Sequence, residues 1–445
     1  MPKGKYERPK EPMSPRRKAL LTIIGILSAL LIIGLIIIIV LPAPTPVEPT
    51  IEQPVVEATA EPTVTEPPEE SDAIVEPEET EPVLVATASL GATGDILLHK
   101  GVINSGKVAT NEYNFDEIFK YVTTYYNSFD IMIANMEGTL SGGDSDDDYV
   151  GYPCFNAPDG IATSLKTAGV DMLLTSNNHT YDYGNKGLTR TQDVIAENEM
   201  EYLGTQKTDE EKDYIVKDIN GIKIGMMSYT YETDKNNTNK TLNGLVVKTA
   251  DTNLISSFNY KELDKFYNEV EENMTAMKTE GAEVFVMFIH WGDEYNIVYN
   301  ETQESIAQKL NVLGIDVIIG GHPHVIQPFQ VITSESGHRT YCIYSMGNAV
   351  SNQNRNSMSD TKNGKYTENG LIVGVEFEKW SDGSVFVSDF SLLPTYVYKT
   401  TNNGKTAYYI IPLDSTRNDW SEFGVPIEKL NEAYENALIT IGAVG

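Results

Sequence analysis

Five of the six histidines in this chain of 445 residues lie in, or just after, five short polar motifs that also carry acids and carboxamides. In chain order these are Gly94-Asp95, with His99 close behind; Asn135-Met136-Glu137-Gly138; Asn177-Asn178-His179 within SNNHTYDYG; His290 opening HWGDEY; and His322 with His324 in GGHPH. Imidazole nitrogens mixed with carboxylate oxygens suit zinc, manganese, iron or nickel better than the all-oxygen cage preferred by calcium. Two such cations about 3.5 to 4 Å apart can clamp a phosphoryl oxygen and lower the pKa of water. A carboxylate between them would hold the pair, and an imidazole of ordinary pKa could protonate a leaving alkoxide.

Chemistry of this kind requires the motifs to converge, and the residues before them say how. Asp95 follows LVATASLGAT, Glu137 follows FDIMIA, Asn177 follows VDMLLT, His290 follows AEVFVMFI and His322 follows IDVIIG. These short apolar runs read as buried strands, and strand ends are where open α/β sheets place their sites. KELDKFYNEVEENMTAMKTEG and TQESIAQKLNVLG have helical periodicity. INGIKIGMMSYTY and LIVGVEFEKWSDGSVFVSDFSLLP read as strands joined at Asn-Gly and Asp-Gly turns. NGKTAYYIIPL adds a strand and VPIEKLNEAYENALIT a closing helix. The expected class is α/β, with residues 353–445 completing the domain begun at residue 86.

The marks GDILLH, NMEGTL, YPCFNAP, SNNHTYDYG, HWGDEY, GGHPHVIQP and YSMGNAVS, in that order over residues 86–352, resemble bacterial capsule-synthesis proteins of the CapA type. That family is linked to poly-gamma-glutamate and is similar to calcineurin-like metallophosphoesterases. The resemblance implies a sandwich of two mixed β-sheets flanked by helices, with one or two divalent ions (manganese, zinc or iron) at the strand ends. It further implies that Asp95 binds one metal, that Glu137 bridges two, that Asn178, His290 and His322 complete the second site and that His324 returns to the first. Asn135 and Asn177 stand beside these ligands in the same motifs. His179 falls where the phosphoesterases keep a proton donor. Asp182 could orient its ring or cap the helix that follows. Glu294 and Tyr295 could line the pocket or shape their loop, and Asn348 could donate into the site or satisfy its turn. Leu97 stands where the phosphoesterases carry a histidine, and they bridge with aspartate rather than glutamate. His99 could replace the missing ligand, but in an extended chain its parity matches both Asp95 and Leu97, so spacing leaves this open. In YPCFNAP, Tyr152 and Phe155 are expected to pack and shape the cleft.

Location forms a separate expectation. Residues 19–41 are uncharged and nearly all apolar, longer than the ~20 residues that cross a bilayer, and no cleavage site follows. Lys3, Lys5, Arg8, Lys10, Arg16, Arg17 and Lys18 precede them, whereas no Lys or Arg lies between residue 41 and Lys100. The positive-inside rule then puts residues 1–18 in the cytoplasm, makes 19–41 a single-pass signal-anchor, and leaves the rest outside the cell. Residues 42–85, rich in Pro and Glu, read as an extracellular linker too polar to fold. A net charge of −31 argues against nucleic acid as a partner. It also opposes direct grasping of an anionic capsule or cell-wall polymer unless cations mediate. Cys154 and Cys342 have no adjacent histidine signature and are expected to be neither nucleophiles nor a disulfide. Two functions remain: a metal-dependent hydrolase or transferase of capsule assembly, or a non-catalytic polymer-binding subunit of a membrane synthase and exporter.

Overall fold

The alternation of apolar side chains along the strands decides the layering. In Ile131–Met136, Ile131 and Ile133 face one cluster, while Met132, Ala134 and Met136 face another. Val284–His290 divides likewise, with Val284, Val286 and Phe288 on one side and Phe285, Met287 and Ile289 on the other. Strands apolar on both faces must be covered twice. In this computed structural model, which describes residues 81–233, 239–417 and 419–442, they are. Two mixed sheets pack face to face, and helices cover the outer sides. The described residues lie in the unit Glu79–Gly445.

The first sheet runs in the order Lys405–Pro412, Val385–Asn402, Asn369–Trp380, Leu84–Ile96, Ile131–Met136, Met172–Leu174 and Glu201–Leu203. Its last four strands are parallel and the first three antiparallel. The second sheet runs Ser257–Phe258, Ile222–Tyr231, Val284–His290, Val317–Gly321, Arg339–Met346, Ile326–Thr333, with Tyr214–Ile219 also paired to Ile222–Tyr231. The parallel strands of both sheets carry the motifs at their C-terminal ends. Helices Leu263–Thr279 and Glu301–Leu313 cover the outer face of the second sheet, and Ile427–Ile441 closes the described chain. The Asn-Gly turn expected after Ile219 has both residues at positive φ, 54° and 91°, as a two-residue hairpin requires.

The expected membrane span at 19–41, the cytoplasmic tail and nearly all of the linker lie outside the described residues. Among the described residues no helix is long and apolar enough to cross a membrane. The two cysteines are free, and Cys342 is buried.

One local irregularity sets up the site. The register of Leu84–Ile96 against Ile131–Met136 shifts between Thr93 and Asp95, a bulge that re-aims Asp95. Asp95 N donates to Gly347 O at 3.0 Å, and a Cβ on Gly94 would stand 2.0 Å from that same oxygen. Gly94→Ala should therefore force two backbone segments apart and cost about 1–3 kcal/mol. Thermal unfolding checks it: an unchanged Tm would mean the bulge relaxes freely.

Candidate metal centre

Candidate ligands reach the centre from both sheets. Asp95 sits one residue before the end of its strand, Glu137 one residue beyond Met136, and Asn178 in the loop after Met172–Leu174. His290 ends Val284–His290, and His322 and His324 follow Val317–Gly321. His322 and His324 are both left-handed, with φ of 97° and 57°, a conformation that costs energy and is kept where the surroundings impose it. Through this turn the two imidazoles enter different ligand groups. Gly321 leaves room beside them, since a Cβ there would lie 3.1 Å from Asp95 Oδ1.

Two groups of ligand atoms form, Glu137 with His290 and His322, and Asp95 with Glu137 and His324; within each, the atoms lie within 4.8 Å of one another. Glu137 belongs to both. It is fully buried, and neither of its carboxylate oxygens has a hydrogen-bond partner. His322 Nδ1 is likewise buried and unpartnered. Leaving an ionised carboxylate bare in the interior costs several kcal/mol, so a cation on either side is what this arrangement fits. His290 Nε2 stands 3.5 Å from Glu137 Oε1 and 2.8 Å from Asn178 Oδ1, which puts a neutral oxygen beside the group of Glu137, His290 and His322. Asp95 Oδ2 lies 3.1 Å from His324 Nδ1, while its Oδ1 accepts from Asn135 Nδ2 at 2.7 Å.

Electrostatics agree with that fit. Burial pushes the Glu137 carboxyl up, but His324 and His290 outweigh it and hold it well below the usual range. Burial drives His322 well below its usual value, with His290 and His324 adding to the effect, so it is neutral as a ligand must be. For His324 burial is outweighed by Glu137 and Asp95, which raise it to about 9. A proton there is the positive charge that two buried carboxylates demand.

Beside the centre, His179 Nδ1 lies 2.8 Å from Asp182 Oδ2, and the Asp182 side chain is fully buried. Asp182 also accepts from Phe155 N at 2.7 Å. The helix Gly184–Glu197 takes Tyr183, not Asp182, as its N-cap, so of the two roles open for Asp182 the structure shows the contact with His179. Phe155 sets its ring edge-on to both His179 and His99, with centroids 4.6 and 5.2 Å apart. Tyr152, expected to pack, is instead 80% exposed, because its loop turns outward before Phe155 enters the core.

The remaining residues divide between struts and surface. Asn135 holds Asp95; Asn177 Nδ2 donates to Met136 O at 2.8 Å, and its Oδ1 accepts from His179 N, tying the third motif to the second. Asn348 faces His324 rather than the ligand pocket: its Oδ1 lies 3.2 Å from His324 Nδ1, and its Nδ2 donates to His324 O. His99 joins neither ligand group. The strand stops at Ile96, so its parity does not extend to His99, which instead takes the N-cap position of helix Lys100–Gly106 without a side-chain capping bond, its Nδ1 3.3 Å from Ser351 Oγ. Burial lowers its pKa to about 4, and Leu97 is buried without replacing a ligand. Glu294 is exposed.

Sequence reading passed over Asn243. It sits at the tip of a small hairpin, 61 positions after Asp182, and donates to Asp182 Oδ1 at 2.8 Å. Its one local signal, the following Gly244, marks a turn and nothing more.

Comparison with known proteins covers these same residues. The chain is 26% identical over 285 residues to the capsule biosynthesis protein CapA of Bacillus anthracis, covering 63% of this chain and 64% of that one. It is 25% identical over 273 residues to the PGA biosynthesis protein CapA of Bacillus subtilis, covering 60% and 63%. The chain thus spans less than two thirds of either relative. Among solved structures it is similar to a calcineurin-like phosphoesterase from Bacillus subtilis, at 16% identity and TM-score 0.40, covering 80% of this chain and 99% of that one. The family described as bacterial capsule synthesis protein PGA_cap matches residues 89–353, more than half of the sequence. That span contains Asp95, Glu137, Asn178, His290, His322 and His324 alike, and the chain belongs to the bacterial capsule synthesis family.

Proposed function

We propose that this protein is a membrane-anchored, extracellular metal-dependent hydrolase or transferase of capsule assembly, acting on a phosphoester or on the end of an anionic polymer such as poly-gamma-glutamate. The observation that carries it is Glu137, buried and unpartnered between two ligand groups. Glu137, His290, His322 and Asn178 would hold one divalent ion and Asp95, Glu137 and His324 the other. When bound, such ions polarise a phosphoryl or carbonyl oxygen and make hydroxide available near neutral pH.

The chain's own groups supply the rest. Asp182 accepts a hydrogen bond from His179 Nδ1 and fixes the ring, which leaves Nε2 to protonate the departing group. Asn135 and Asn348 hold Asp95 and His324 in place. Phe155 closes the wall between His179 and His99 against water. The test is hydrolysis of bis(p-nitrophenyl) phosphate and p-nitrophenyl phosphate by the full chain with added Mn2+ or Zn2+. Metal-dependent turnover is expected, and none with either ester at full metal loading would sink the phosphoesterase reading.

A second reading has its own observation. The group of Asp95, Glu137 and His324 holds only three side chains, and Leu97, which the resemblance sets where the phosphoesterases carry a histidine, is apolar and buried. A non-catalytic subunit that binds polymer and engages a membrane synthase or exporter could keep one ion and dispense with the other.

A further inference from the structure

We propose that Asn243 is a positioning residue that locks the His179–Asp182 pair in its working tautomer; the proposal rests on the reading of His179 as the proton donor. Asn243 Nδ2 lies 2.8 Å from Asp182 Oδ1 and 2.9 Å from Pro153 O. Both are acceptors, so the amide orientation is fixed: rotated by half a turn, it would set its own oxygen against a carboxylate and a carbonyl. Its two amide protons are thereby used. The 3.2 Å approach of Nδ2 to His179 Nδ1 is then a contact between two donors, not a hydrogen bond. His179 Nδ1 must direct its own proton to Asp182 Oδ2, at 2.8 Å. Asp182 receives Asn243 on one oxygen, and Phe155 N and His179 on the other. No acceptor in this cluster invites the proton to leave Nδ1.

The hairpin brings the amide there by construction. Thr241–Leu242 pairs with Leu245–Val246, and Asn243 and Gly244 have φ of 47° and 73°, the left-handed pair of a two-residue turn. Leu242 is fully buried with Tyr181 and Leu188, side chains flanking the His179–Asp182 loop. Lys240 Nζ donates to Thr252 O and Ile255 O at 2.6 and 2.7 Å, fastening the base of the same segment. One asparagine therefore ties together the hairpin, the loop at Pro153 and the acid that orients His179.

Two variants separate positioning from turn formation. Asn243→Gly keeps a residue at ease with positive φ and removes the amide; Asn243→Asp keeps the shape and sets acceptors against acceptors. The full chain, labelled with 15N-histidine and stripped of metal, gives a ring spectrum in which His179 is assigned by its loss in His179→Ala. Wild type is expected to keep its Nδ1 proton, held by Asp182, when the ring is neutral, so that Nε2 alone gains and loses the transferable proton, and both variants are expected to show a mixture of neutral tautomers. With an alkyl phosphodiester, whose leaving alkoxide needs a proton, and Mn2+, Asn243→Gly should lower kcat about tenfold, the size of one hydrogen bond to a charged group, with KM unchanged. A wild-type tautomer signature in both variants would overturn the proposal, whatever their turnover. If wild type turns nothing over, the functional reading fails while the spectrum still decides the role of Asn243.

Discussion

Glu137→Gln is expected to destabilise the metal-free protein near neutral pH, and to abolish most of the stabilisation that Mn2+ or Zn2+ confers. Both effects have one cause. Without metal, burial of the Glu137 carboxyl is outweighed by His324 and His290, which hold it well below the usual range, so a neutral amide forfeits that attraction. With metal, the same carboxylate is the one ligand common to both groups. Two sites, each filled at a hundred times its Kd, would stabilise the fold by about 5 kcal/mol. That corresponds to a rise in Tm of roughly 10 °C. Thermal unfolding of both proteins in chelator and in excess metal checks it. Equal metal-induced shifts in wild type and Glu137→Gln would mean that the ions bind elsewhere. The effect should also depend on pH. In the metal-free fold His324 is raised to about 9, so its protonation contributes stability fully below about 6.5 and loses it as pH rises through about 9. Metal must displace that proton, and apparent affinity should climb toward about pH 9.

His179→Ala is expected to lower kcat by about 10²–10⁴ while metal content stays the same. His179 belongs to neither ligand group, and under the proposed mechanism its contribution is a proton. The loss should grow as the leaving group becomes more basic, because p-nitrophenolate departs readily unprotonated and an alkoxide does not. A matched series of aryl and alkyl phosphodiesters reads this directly. A loss of the same size for every leaving group would assign His179 to binding rather than proton transfer, and loss of metal would make it a ligand.

The convergence of the candidate ligands was legible in the sequence because each interrupts an apolar run where a strand must end, and a polar residue at a buried strand end needs a reason. The α/β class was legible from strand-like runs alternating with helical periodicity, whereas the pair of mixed sheets was implied by the family resemblance. Three features were not legible. The bulge at Gly94 depends on Gly347, which arrives from a distant strand, so nothing near Gly94 announces it. Asp182 has the spacing of a helix cap, and only the position of Tyr183 shows that the cap lies one residue on. Asn243 reads as half of a turn, and its second task exists only once a loop 61 positions earlier folds beside it. The role of His99 stays open in the sequence because parity presumes an extended chain, whereas the strand stops at Ile96 and the chain turns into a helix.

The most direct test of the central claim is the metal content of the full chain, purified without chelator and measured by elemental analysis beside Glu137→Gln. A dinuclear centre bridged by Glu137 predicts close to two divalent ions per wild-type chain and a marked loss in the variant. One tightly held ion in both proteins would contradict it and favour the polymer-binding subunit.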